Sequence, residues 1–149
     1  MTKATCRPES SEMVHNPQDE SLSSSRLFKS SAPFSHWVMR DGIGFVSGII
    51  VQDPATGRLV SEDICAQFVR ALDNLQMLLD EARLSWTDVV RTTVYLTDYA
   101  RFDELNDIYA GRFHAPFPAR TTVGVAALPL NSKVQLDATA IPIGGPQRR

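Results

Sequence analysis

Cysteine is scarce: Cys6 and Cys65 are the two in 149 residues. They stand far apart, in neither a metal-ligand spacing nor a disulfide framework, so a reducing compartment is expected and no bound metal. Cys65 reads as a buried small hydrophobe. A basic excess is also missing, since 15 Lys and Arg against 17 Asp and Glu give a formal net charge of −2. Nucleic acid is therefore not expected as a partner, because its footprint requires a basic face or cluster. Long apolar runs are absent too, and the first residues lack the apolar core of a secretory leader. No membrane span is expected, and the chain is placed in the cytoplasm.

What is present suits one domain, long enough to bury a core without covalent staples. Residues 1–25 are rich in Ser, Glu, Asp, Asn and Pro and offer almost nothing to bury. They are expected to form a disordered tail, leaving 26–149 as the domain. A short edge strand fits Arg26 to Ser30. From His36 two β segments flank Asp41-Gly42, a strong hairpin signal, and Asp53 to Gly57 forms a turn. Gly48 within the second segment marks a bulge or a close backbone approach. The hydroxyl of Ser47 beside it suits either a neighbouring strand or a ligand.

Ser61, followed by Glu62 and Asp63, reads as a helix N-cap, and Ile64, Phe68, Leu72, Leu75, Leu79 and Ala82 recur at helical spacing as one buried stripe. The opposite face, with Arg70, Asp73, Asp80 and Arg83, reads as solvated surface. Ser85 to Asp88 predicts a one-turn cap before a strand over Val89 to Thr97, with Val90, Thr92, Val94 and Leu96 on one face. Asp98 then caps a second helix with Phe102, Leu105, Tyr109 and Phe113 as its stripe, ended by Pro116 and Pro118. Asn106 falls off that stripe and either covers surface or faces a neighbouring chain.

The stretch Pro118 to Ile141 alternates, turns at Leu128 to Ser132, and alternates again. Arg120, Thr122, Gly124 and Ala126 share one side of the first limb. Val134, Leu136, Ala138 and Ala140 oppose Lys133, Gln135, Asp137 and Thr139 on the second. An antiparallel pairing of the limbs predicts that Arg120, Gln135 and Asp137 share a face. A guanidinium among small side chains is suited to gripping a carboxylate, although the same pattern fits a solvated arginine or an ordinary ion pair. Hairpin, helix, strand, helix and hairpin together predict an α+β sandwich, a mixed β-sheet with two helices packed on one face. The bare face is expected to be buried by oligomerisation.

Four segments in order, Ala32-Pro33-Phe34-Ser35-His36, Phe45-Val46-Ser47-Gly48, Val89 to Leu96 and Pro118 to Val123, closely resemble the Rid family, the reactive-intermediate deaminases also called the YjgF family. The resemblance covers nearly the whole chain from Ala32. It implies a chorismate-mutase-like (YjgF-like) fold in a homotrimeric barrel with clefts between subunits, and no cofactor. It also implies hydrolysis of enamines and imines of amino acids to 2-oxo acids and ammonia. The family's substrate-binding arginine falls on Arg120, its serine on Ser47 and its asparagine on Asn106.

In three places the chain departs from that pattern. The water-orienting glutamate of the family is Gln135, which can hold a water but cannot take its proton. The hydroxylated aromatic is Phe34, and a cysteine of some members is Thr122. Arg120 and Gln135 are thus the candidate catalytic residues, with Phe34, Ser47, Asn106 and Thr122 around the substrate. Asp137 is a substitute acceptor for the water or the member of a structural ion pair. Two further readings follow: a module that binds small carboxylates without turnover, prompted by Gln135, and a deaminase of an aminomuconate-like compound, prompted by Phe34 and Trp37 as contacts for a larger conjugated substrate. Trp37 equally suits the core or a subunit contact.

Overall fold

A computed structural model describes residues 20–49 and 51–144. It contains a six-stranded sheet in the order β1-β2-β3-β6-β4-β5. The strands are β1 Glu20–Leu22, β2 Trp37–Arg40, β3 Ile43–Ile49, β4 Val89–Leu96, β5 Ala119–Gly124 and β6 Val134–Ala140. The helices are α1 Ile64–Glu81 and α2 Phe102–Arg112. All pairings are antiparallel except β4 with β5, so the sheet is mixed.

The β2–β3 hairpin turns where the sequence predicts it, with Asp41 and Gly42 both at positive φ. The Trp37 ring packs against Gly44, where a Cβ would sit 2.0 Å from a ring carbon. Trp37 is therefore a core residue, 3% exposed. Helix α1 buries Ile64, Phe68, Leu72, Leu75 and Leu79 against the sheet. Its cap is Asp63 rather than Ser61: the Asp63 carboxylate accepts the Ala66 amide at 2.8 Å, while the Ser61 hydroxyl is used earlier, by the Asp63 amide. Asp73 on its outer face is not merely solvated, because it pairs with Arg112 of α2. The helix closes with the Leu84 amide donating to Leu79 O and the Arg83 amide to Asp80 O, Arg83 holding the left-handed position at φ 57°.

Other expectations change. Arg26 to Ser30 forms no strand; Glu20–Leu22 does, pairing with β2, and Ser24 is buried. The fold therefore begins inside the segment assigned to the tail, whose first nineteen residues lie outside those described. Val90 is 41% exposed, because the register of β4 against β6 shifts between Val89 and Arg91 and alternation restarts at Thr92. Asp98 caps a turn, accepting the Ala100 amide, and α2 starts later, at Phe102.

The largest correction concerns the last two strands. β5 and β6 are not neighbours: β4 lies between them, and β5 runs parallel to β4 at the sheet edge. In that register Arg120 pairs with Thr92 and Thr122 with Val94, residues that face the helices. Gln135 and Asp137 pair with Tyr95 and Thr93, on the other face. Arg120 therefore does not share a face with Gln135 and Asp137. The expected alternation within β6 stands, with Val134, Leu136, Ala138 and Ala140 buried. Both helices lie on one side, and the opposite side leaves Phe45 48% exposed.

Candidate functional site

Two recesses flank the sheet. The first surrounds Arg120 at the free edge of β5 and is bordered by Asn106, Tyr109, Ala110, Phe117 and Pro118. Arg120 Nη2 donates to Asn106 Oδ1 at 2.7 Å. The guanidinium carbon stands 4.7 Å from the centre of the Tyr109 ring and 5.8 Å from that of Phe102. Such stacking suits a planar, exposed cation. Among the described residues no carboxylate pairs with Arg120.

The aromatic bed is anchored from below. Tyr109 is buried, and its hydroxyl shares a 2.8 Å hydrogen bond with Thr92 Oγ1, itself fully buried on β4. Burial raises the Tyr109 pKa, so its hydroxyl stays protonated. Arg120 thus owes its posture to a chain of contacts from strand β4 through helix α2. Tyr109 looked like simple core stripe in the sequence; only the parallel placement of β5 puts the arginine over its ring.

The second recess is a hollow of about 570 Å³ whose wall includes Phe34, His36, Ser47, Gly48, Leu130 and Gln135. The Ser47 hydroxyl donates to Ser35 O at 2.6 Å, and its lone pairs remain for a ligand. The glycine at 48 corresponds to a shift of register between Val46 and Ile49, so the bulge expected there is present. It also permits close approach: a Cβ at Gly48 would come within 2.6 Å of Gln135 Nε2. That amide donates to Gly48 O at 3.3 Å, turning the side chain over the bulge and leaving Oε1 as an acceptor.

The structure therefore brings Arg120 together with Asn106, and separately Phe34 with Ser47 and Gln135. Thr122 lies on β5 beyond Arg120, half-buried, and borders neither recess. Asp137 accepts the Tyr95 hydroxyl at 2.8 Å, a bond that, with burial, raises the Tyr95 pKa. Trp37, buried against Gly44 and 3% exposed, is core rather than ligand contact, which removes one support for a conjugated substrate. Cys65 is half-buried rather than buried, beside Glu104, and burial raises its thiol pKa. Among the described residues no group of His, Cys, Asp or Glu is arranged to hold a metal ion, and no helix is long and apolar enough to cross a membrane.

Comparison with known proteins agrees with this architecture. The family model described as Endoribonuclease L-PSP matches residues 24–142. Reactive Intermediate Deaminase A, chloroplastic, of Arabidopsis thaliana is 37% identical over 121 residues, which span 81% of this chain and 65% of that protein. The human 2-iminobutanoate/2-iminopropanoate deaminase is 40% identical over 109 residues, 73% of this chain and 80% of its own. The crystal structure of RidA from an Antarctic Psychrobacter superposes with a TM-score of 0.78 at 28% identity, covering 83% of this chain and 99% of that one. With the family match running from β1's flank to the end of the last strand, and the deaminase relatives aligned over most of its length, the chain belongs to the Rid family.

Proposed function

We propose that the chain hydrolyses small 2-imino or enamino carboxylates to 2-oxo acids and ammonia, in clefts where Arg120 of one copy closes over the hollow of another. The observation that carries this reading is the state of Arg120: exposed, held by Asn106 and an aromatic bed, and paired with no acid among the described residues. A carboxylate offered two parallel hydrogen bonds by such a group gains roughly 1.5–3 kcal/mol per charge-assisted bond. The division of the candidate residues between opposite faces supports a cleft between copies, since one chain cannot close both halves around one small molecule. The bare face with Phe45 supports a closed assembly such as a trimeric barrel.

In this reading the substrate carboxylate docks on Arg120, and Gln135 Oε1 together with a main-chain carbonyl holds a water against the C=N carbon. The water oxygen adds to that carbon, and one of its protons passes through solvent to the nitrogen. The hydroxyl proton of the resulting carbinolamine passes through solvent to its nitrogen, the oxygen lone pair forms the C=O bond as the C–N bond breaks, ammonia leaves, and the 2-oxo acid remains. Imines hydrolyse readily, so orientation and charge stabilisation suffice without a strong base. Arg120→Ala should abolish the acceleration when imine is generated in the assay by an amino-acid oxidase; unchanged turnover would sink the site.

Gln135 favours a second reading, binding of a small carboxylate without turnover. Calorimetry with 2-oxo acids, run beside ammonia release, separates the two: binding without release selects the module. Activity that appears only in Gln135→Glu would select it as well.

A further inference from the structure

Among the described residues, one titratable side chain contributes to the wall of the larger hollow, His36. Its Nδ1 lies 2.9 Å from the Ser24 amide nitrogen. An amide N–H can only donate, so Nδ1 is the unprotonated nitrogen and the neutral ring carries its hydrogen on Nε2. That Nε2–H has no acceptor among the described residues, yet it is not among the buried polar atoms left without a partner. It is therefore accessible, on a residue that lines the hollow.

The ring is held in this attitude from several sides. Ser24 is buried, and its hydroxyl donates to Glu81 Oε1 at 2.9 Å, fixing the residue that sets the tautomer. Phe34 meets the imidazole edge-on at 5.7 Å between centroids. Burial lowers the His36 pKa, and the nearby Glu81 carboxylate on α1 opposes that effect only in part. With Nδ1 occupied and Nε2 carrying a hydrogen, the imidazole is a donor and not a base.

We infer that His36 is a substrate-binding residue, a neutral imidazole whose Nε2–H donates a hydrogen bond to an oxygen of the small carboxylate or 2-oxo acid occupying the hollow. This rests on the reading of the hollow as half of the substrate site. It gives that half a directional anchor, where Ser47 and Gln135 already spend hydrogens on main-chain carbonyls.

Two measurements test it. In a long-range ¹H–¹⁵N histidine spectrum of the labelled protein, His36 should show the Nε2–H tautomer, and saturation with 2-oxobutanoate should shift that signal. An Nδ1–H tautomer, or a signal indifferent to bound 2-oxobutanoate, would overturn the inference. In kinetics, His36→Asn keeps an acceptor for Ser24 but stops short of the hollow, and should raise KM about tenfold with kcat changed less. His36→Gln places an amide hydrogen near the former Nε2 and should keep KM within about threefold of the parent. Equal KM values in the parent and both variants would also overturn it. If the parent neither binds 2-oxobutanoate nor hydrolyses imines, the proposed function falls and this inference with it. If the parent is active, Arg120→Ala is dead and His36→Asn matches the parent, this inference alone falls.

Discussion

The recess around Arg120 and the hollow behind Phe34 are built in opposite ways. The first holds a charge and little depth: a guanidinium laid on aromatic rings at a sheet edge. The second has depth and, among the described residues, no formal charge: hydroxyl, amide and imidazole side chains tied to neighbouring backbone. For the small carboxylate proposed as substrate, each would supply what the other lacks. Because Arg120 and Gln135 stand on opposite faces of the sheet, the proposed reading has the two recesses used together between copies of the chain.

That pairing is broken most decisively by mixing. Chains with Arg120→Ala and chains with Gly48→Leu should each be inactive alone, and co-expressed with separate tags they should recover about a quarter of the parental activity, the share of clefts joining two intact halves. No recovery from folded mixed assemblies would separate the two recesses functionally. A smaller effect, about tenfold on kcat, is expected for Gly48→Ala, whose new methyl must push the Gln135 amide off its position and so misplace the water. Calorimetric binding of a 2-oxo acid should survive that change, since the arginine recess is untouched.

Tyr109 sharpens the other half. Tyr109→Leu removes the bed beneath the guanidinium, a contact worth about 0.5–2 kcal/mol, and should raise KM several-fold. Tyr109→Phe keeps the ring and leaves KM near the parent, while the stranded Thr92 hydroxyl lowers stability to chemical denaturation by about 1–3 kcal/mol.

The smallest functional effect is expected at Asp88, which belongs to neither recess. Burial alone would raise its carboxyl pKa, but amide hydrogen bonds from Ile143 and Ser85 bring it below the ordinary value. A carboxylate depressed in the folded state stabilises fully above its unfolded pKa of about 3.9, and the contribution fades as pH falls through the lower folded value. Asp88→Asn should cost about 1–2 kcal/mol at pH 7, converge with the parent in acid, and leave activity per folded chain unchanged.

Much of this architecture was legible in the residues. Periodicity placed both helices and the buried faces of β6, and Asp41-Gly42 placed the first hairpin, because local sterics decide these features. Gly48 announced a bulge or a close backbone approach, and the bulge is present. The partner of β5 was not legible. Alternation tells which residues share a side but not which neighbour a strand chooses, and a short loop between two alternating limbs imitates a hairpin. The same gap hid Tyr109 as the support of Arg120, since that contact exists only once β5 lies parallel to β4 under α2. At β1, a three-residue strand in a polar stretch carried too little pattern to be seen.

The hydroxyl pair of Thr92 and Tyr109 has a practical reach beyond the interior where it sits. It couples the bearing of a surface cation to the seating of a buried strand, so on the proposed reading affinity for a carboxylate can be retuned from hydroxyls beneath the recess. If Arg120 holds the carboxylate as proposed, selection for tighter or looser capture should return substitutions along β4 as well as around Arg120, and libraries confined to exposed positions would overlook them.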